Sequence, residues 1–174
     1  WFGTAVASAG DVNGDGYSDI VVGCYTFDNG QTDEGHVFIY HGGPSGLTAG
    51  VSTTLAFQQS GTQFGASVAS AGDVNADGYG DVIVGAPYYD GGQSNEGLVF
   101  VFYGSPTGLS INNKTLLEHN QADSHFGNAV AGAGDINGDG YDDIIAAAMD
   151  YDNGQSDEGV VFVHYGSSGG IDLN

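Results

Sequence analysis

The chain has 174 residues, with 22 Asp or Glu against a single Lys or Arg, for a formal net charge of -21. Gly fills 32 positions, while 40% of residues are hydrophobic and 11% aromatic. That length suits one domain or part of one. So much Gly argues against a helical bundle, since each Gly costs about 1 kcal/mol inside a helix, and the charge excludes nucleic-acid and anionic-membrane partners, which both require Lys and Arg.

High acidity can accompany disorder. Here aromatic and β-branched content is ordinary, and the acids are clustered rather than spread. The pattern is that of a folded protein whose carboxylates have a task. No stretch approaches the roughly 20 apolar residues of a membrane-spanning helix. A chain that opens on Trp1 rather than Met is expected to be a processed or excised one.

The chain repeats itself. Phe2-Gly3 returns as Phe64-Gly65 and Phe126-Gly127, each 62 residues further on, and Asp11 to Asp19 returns at the same offset as Asp73 to Asp81 and Asp135 to Asp143. A third element, Asp28 to Gly35, returns at Asp90 to Gly97 and Asp152 to Gly159. Such a fixed period defines a repeat architecture, with units at about 1–62, 63–124 and 125–174 of a single 1–174 segment.

Each unit reads as strands in chain order. Thr4 to Ala9 is extended and built of small residues, which suits a crowded innermost strand near an axis. Ile20 to Gly23 is a short β-branched run. His36 to His41, with Leu98 to Tyr103 and Val160 to Tyr165, is a third strand of β-branched and aromatic residues. Thr53 to Gln59 and Lys114 to His119 supply a fourth, and Gly, Asn, Asp and Ser mark the junctions. The expected fold is all-β, with four-stranded units as β-propeller blades. Residue 174 corresponds to Asn112 and Gly50, so the last blade stops before its fourth strand. Propellers have about 4–8 blades. Three units are therefore expected to belong to a larger parent or to be completed by further copies of the chain.

The acidic loops have the ligand order of a calcium site. In Asp11-x-Asn13-x-Asp15-Gly16-Tyr17-x-Asp19, side-chain oxygens stand at loop positions 1, 3, 5 and 9, the Tyr17 carbonyl at 7, and a turn-permitting Gly at 6. Calcium takes about 6–8 oxygens in flexible geometry, whereas magnesium demands a stricter octahedron. Zinc favours His and Cys, which these loops lack. The second loop offers Asp73, Asn75, Asp77, Tyr79 and Asp81, and the third Asp135, Asn137, Asp139, Tyr141 and Asp143. Three Ca²⁺ sites are expected. An Asx-rich turn without an ion is the plainer alternative, but three copies keep every ligand while Gly14 becomes Ala76. An EF-hand is excluded because position 12 is Val22, Val84 or Ala146 rather than Glu. The same gap disfavours a dockerin module, and the 62-residue period excludes a nine-residue β-roll repeat.

Phe-Gly, then Gly-Asp-Val-Asn-Gly-Asp-Gly-Tyr-x-Asp, Ile-Val-Val-Gly and Gly85-Ala86-Pro87 resembles the FG-GAP repeats of the integrin α-chain N-terminal propeller. Related repeats occur in bacterial surface proteins and some lectins. The resemblance spans all three units and implies calcium at the loop positions just named. It departs at Gly23-Cys24-Tyr25 and Ala147-Ala148-Met149, which stand where the second unit has Gly85-Ala86-Pro87. It also implies an extracellular, calcium-stabilised scaffold displaying loops, in propellers of about seven blades. Fold alone does not name the ligand.

Asp28, Asp33 and Glu34, with Asp90 and Glu96 and with Asp152, Asp157 and Glu158, form a second acidic cluster. It reads as a hairpin loop whose Glu accepts backbone hydrogen bonds at a strand start, with a weaker cation site as the alternative. None of the five His repeats, and no catalytic constellation is found. Cys24 aligns with Ala86 and Ala148, a small buried position. Asn113-Lys114-Thr115 matches a glycosylation acceptor. Tyr25, Phe27, Tyr88, Tyr89 and Tyr151 are placed at loop mouths, where they could stack on sugars. The expected function is a non-enzymatic, secreted or cell-surface calcium-binding module for adhesion or recognition of a protein or glycan. A structural protomer forming rings or filaments is the alternative, and a polysaccharide-active enzyme domain a weaker one.

Overall fold

A computed structural model of the chain describes residues 1–173. The first sheet runs β1 (Ala5–Gly10), β2 (Asp19–Cys24), β3 (His36–Tyr40) and β4 (Thr53–Ala56). The second repeats it as β5 (Ser67–Gly72), β6 (Asp81–Ala86), β7 (Leu98–Phe102) and β8 (Lys114–Leu117). The third has β9 (Phe126–Gly134), β10 (Asp143–Ala148) and β11 (Val160–His164), three strands among the described residues. All neighbours are antiparallel in chain order, as in a blade built from successive hairpins. The all-β, propeller-blade expectation holds, with the third blade incomplete. The fourth strands end at Ala56 and Leu117, short of the expected Gln59 and His119.

The small-residue strands β1, β5 and β9 lie side by side, as a crowded innermost position requires. At the end of each inner strand the register slips by one residue, between Ser8 and Gly10 and between Ser70 and Gly72. This bulge bends the strand and re-aims the chain. It delivers Asp11 and Asp73 into the acidic loops.

Packing between sheets reads directly from the repeat. Val21, Val37 and Ile39 of the first sheet are fully buried against the second, as are Ile83, Val99 and Val101 of the second against the third. On the other side of the middle sheet, Val82, Val84, Phe100 and Phe102 close the first joint. Every residue of β6 and β7 is therefore buried, the signature of a strand covered on both faces. In the third sheet β11 alternates instead: Phe162 packs inward, while Val161 and Val163, equivalents of Val99 and Val101, are 61% and 43% exposed.

Candidate functional site

The three acidic loops are built the same way. Asp11 Oδ1 accepts from the N–H groups of Gly14 and Asp15, and Oδ2 from Gly16 N–H at 2.8 Å. Asn13 Oδ1 accepts from Asp15 N–H, and its Nδ2 donates to Asp15 Oδ2 at 3.1 Å. Asp15 Oδ1 accepts from Tyr17 N–H. The turn is tight enough to need a left-handed residue at position 6, where Gly16, Gly78 and Gly140 have φ of 87°, 91° and 94°. The Asp135 loop repeats all of these bonds, and the Asp73 loop all but the one from position 4, where Ala76 stands.

The position-9 aspartates stand apart. Asp19, Asp81 and Asp143 are fully buried. Asp19 Oδ2 accepts from Val12 N–H at 2.9 Å and Oδ1 from Gly42 N–H at 2.8 Å, so the carboxylate ties the loop to the end of β3 across the sheet. Asp81 does the same with Val74 and Gly104, and Asp143 with Ile136 and Gly166. Burial pushes Asp81 up to about 7 against the pull of those two N–H donors, and the charges of Asp77 and Asp73 add to the rise. Asp135 lies below the usual carboxylate range because Gly140, Gly138 and Asp139 donate to it.

Successive loops are joined. Gly80 N–H donates to the Asp11 carbonyl and Asp142 N–H to the Asp73 carbonyl. Asp142 Oδ2 also accepts from Asp73 N–H at 2.8 Å. The loops thus line one end of the three sheets as a row.

Among the described residues, no three His, Cys, Asp or Glu side chains converge as a ready-made metal cage. The donor chemistry nonetheless fits a hard cation. Each loop offers three carboxylates, one amide oxygen and one carbonyl, and the sole Lys, Lys114, is engaged with the Ile111 carbonyl. Among the described residues, the two carboxylate–histidine contacts, Glu34 with His36 and Asp150 with His125, lie outside the loops. Carboxylate oxygens that accept one N–H retain a second lone pair for an ion.

The FG-GAP repeat model matches residues 2–40, 64–102 and 126–164. The chain belongs to the FG-GAP repeat family. Each match runs from the Phe-Gly pair through the acidic loop to the end of the third strand, so it contains one whole loop. The chain is 33% identical over 183 residues to integrin alpha-5 of Xenopus laevis, covering 100% of this chain and 17% of that protein. It is 36% identical over 156 residues to integrin alpha-IIb of Mus musculus, covering 85% and 15%. Against integrin alpha pat-2 of Caenorhabditis briggsae it is 39% identical over 164 residues, covering 84% and 13%. The FG-GAP segment thus spans less than a fifth of these relatives' length.

The second acidic cluster is largely engaged by backbone N–H groups. Asp28, Asp90 and Asp152 each accept from the backbone five residues on. Glu96 Oε1 accepts from Gly91 and Gly92 N–H, and Glu158 Oε2 from Asn153 and Gln155 N–H, as expected of a strand-start Glu. Glu34 departs: it is 1% exposed, neither oxygen has a hydrogen-bond partner, and His36 Nε2 lies 3.5 Å away.

The loop-mouth aromatics are largely spoken for. Phe27 stacks on His36 at 4.4 Å, Tyr89 meets Phe57, and Tyr151 meets Phe162. Of the set, Tyr88 is 37% exposed, edge-on to His125. Cys24 is buried and unpaired by any disulfide. Two functional candidates escaped sequence reasoning, His119 and His164, and aligning them on the repeat would have found them, because they occupy the places of Phe57 and Phe102.

Proposed function

We propose that this segment is a calcium-stabilised, non-catalytic part of an extracellular β-propeller that displays loops for adhesion or recognition of a protein or glycan. The observation that carries the reading is the row of three oxygen-rich loops, repeated ligand for ligand, with no cationic side chain to offset their charge. Asp11, Asn13, Asp15, the Tyr17 carbonyl and Asp19 would hold the first ion. Asp73, Asn75, Asp77, Tyr79 and Asp81 would hold the second, and Asp135, Asn137, Asp139, Tyr141 and Asp143 the third. When bound, the ion supplies charge compensation and cross-links the turn. The similarity to integrin alpha chains supports the adhesion and cell-surface parts of the reading.

Extracellular calcium modules bind at about 10⁻⁴ to 10⁻³ M. At free calcium about ten times Kd, each site contributes about 1.4 kcal/mol and three contribute about 4 kcal/mol. EDTA is therefore expected to lower the Tm by many degrees and added Ca²⁺ to restore it. A melt unmoved by EDTA overturns the proposal.

A structural role is favoured by a separate observation. Phe2 and Val6 on the first sheet and Val161 and Val163 on the third are exposed where their repeat equivalents are mostly buried. Further blades of a parent chain, or a second copy, would cover these faces. Light scattering at rising concentration separates the two, since only copies make the mass concentration-dependent.

A further inference from the structure

The aromatic clusters of the two joints between sheets differ at two positions. In the first joint Phe57, just past β4, meets Phe100 at 5.1 Å and Tyr89 at 5.7 Å, while Phe64 meets Phe100 at 4.9 Å and Phe102 at 6.2 Å. This is an all-carbon aromatic cluster apart from the Tyr89 hydroxyl. In the second joint the equivalents of Phe57 and Phe102 are His119 and His164. His119 stacks on Phe162 with centroids 3.5 Å apart and lies edge-on to Phe126 at 4.6 Å, with His164 5.6 Å away. Phe126 reaches Phe162 at 5.6 Å and His164 at 6.3 Å. The Nε2 atoms of both imidazoles are shut off from solvent and have no hydrogen-bond partner. Beside them is a cavity of about 310 Å³ lined by Leu116, Leu117, Glu118, His119, His164 and Leu173.

We propose that His119 and His164 make the joint between the second and third sheets an acid-sensitive latch, closed when both rings are neutral and loosened when either takes a proton. A neutral imidazole packs on phenyl rings as a flat, largely apolar disc. Both rings are half-buried with Nε2 as the enclosed edge, so an imidazolium in the same place loses part of its hydration and gains no partner at Nε2, which is costly. The second ring worsens the first proton's position, because the two would be like charges in one cluster.

The surroundings offer little relief. Lys114 at the start of β8 is held by the Ile111 carbonyl. Glu118 lines the cavity but is exposed. His125, ahead of β9, is paired with Asp150 at 2.8 Å. Asp143, which opens β10, is engaged by two backbone N–H groups. Tyr151 packs edge-on to Phe162, and beyond β11 stand Tyr165 and Asp172, the latter's N–H bonded to the Tyr165 carbonyl. Burial lowers His119, and burial with the His119 charge pushes His164 down to about 4. An imidazole held below its unfolded value contributes its full stability above about 6.5 and loses it as pH falls toward its folded value. The window of loosening therefore lies between about pH 6.5 and about pH 4.

Amide hydrogen exchange on the whole chain at constant millimolar Ca²⁺ tests this, read by mass spectrometry at about pH 7.5 and about pH 5 and corrected for intrinsic rates. Acidification is expected to speed opening of β9, β10 and β11 relative to β1 to β4 on the order of ten-fold. In a His119→Phe/His164→Phe variant, which copies the aromatic cluster of the first joint, the relative rates are expected to stay constant with pH. If that variant does not fold, His119→Phe alone is read the same way and is expected to shrink the ratio. Equal acceleration of the sheets in the unsubstituted chain, or persistence of the ratio in the folded Phe variant, overturns the latch.

Discussion

The carbonyl oxygen of Gly127 lies over the α-carbon of Gly85, so close that a β-carbon on Gly85 would stand 2.0 Å from it. Gly23 stands in the same relation to the Gly65 carbonyl, at 2.1 Å. These contacts are where successive sheets touch backbone to backbone, so the glycine in Val-Gly before the turn is a packing requirement of the joint. Gly85→Ala is expected to destabilise by about 3 kcal/mol, since the obstacle is a main-chain carbonyl that cannot swing aside. Gly92→Ala, with nothing within 4 Å and ordinary φ, is the control and is expected to change stability by under about 0.5 kcal/mol. Urea melts at fixed Ca²⁺ compare the two.

The same comparison explains an oddity of the third unit. Ala147 occupies the position of Gly23 and Gly85, on the outer face with Ile145 and Val161. Its methyl group projects where a following Phe-Gly carbonyl would rest if the joint were copied. The third unit's departure from Gly-Ala-Pro thus falls on packing between sheets, while the acidic loop ahead of it is unchanged.

Position 4 of the acidic loops separates backbone strain from ligand chemistry. Gly14 and Gly138 have φ of 72° and 77°, and Ala76 holds the same region at 55°. A β-carbon on Gly14 would meet the Tyr79 ring of the next loop at 2.6 Å. Gly14→Ala is therefore expected to cost about 1–2 kcal/mol. Ala76→Gly is expected to be within about 1 kcal/mol of neutral, because relief of the left-handed strain offsets the added freedom of the unfolded chain. Differential scanning calorimetry of both variants checks the asymmetry.

Glu34 and Glu96 occupy one position of the repeat and are expected to respond oppositely. Glu96→Ala strips Gly91 and Gly92 N–H of their acceptor and should destabilise by about 1–3 kcal/mol. Glu34 is buried beside His36 with no hydrogen bond to either oxygen. Glu34→Gln removes that charge and should stabilise by about 1 kcal/mol at a pH where His36, lowered by burial, is neutral. Chemical denaturation at about pH 8 reads both. A Glu34→Gln variant less stable than the unsubstituted chain would mean that the carboxylate has a partner after all.

Most of the fold is legible in the sequence because one common period carries strands, loops and blade boundaries together. What stays hidden there is anything that depends on which neighbour a residue meets. His119 and His164 are 45 residues apart in sequence, and only the joint brings their rings together. Asp11 and Asp19 look alike as loop ligands, yet one sits in a self-bonded turn and the other is buried beneath a strand end 23 residues on. Nor does a run of Asp and Gly reveal that Asp142 reaches back to Asp73 in the previous loop.

That difference between aspartates yields a test of what position 9 does. Asp81 uses its two oxygens for two different N–H groups, those of Val74 and Gly104. An amide has one oxygen, so Asp81→Asn must turn an NH₂ toward one of these buried donors. The lost bond and the donor-to-donor contact should cost about 2–4 kcal/mol, and this part of the cost should persist in EDTA, because the two N–H bonds are made without an ion. Asp77→Asn, whose side chain is exposed and bonds mainly within the turn, should weaken Ca²⁺ binding while changing the EDTA melt by under about 1 kcal/mol. Isothermal titration with Ca²⁺ and melts in EDTA, run on both variants, separate the ligand that also holds the sheet together from the one that serves the ion alone. Identical behaviour of the two would remove the distinction.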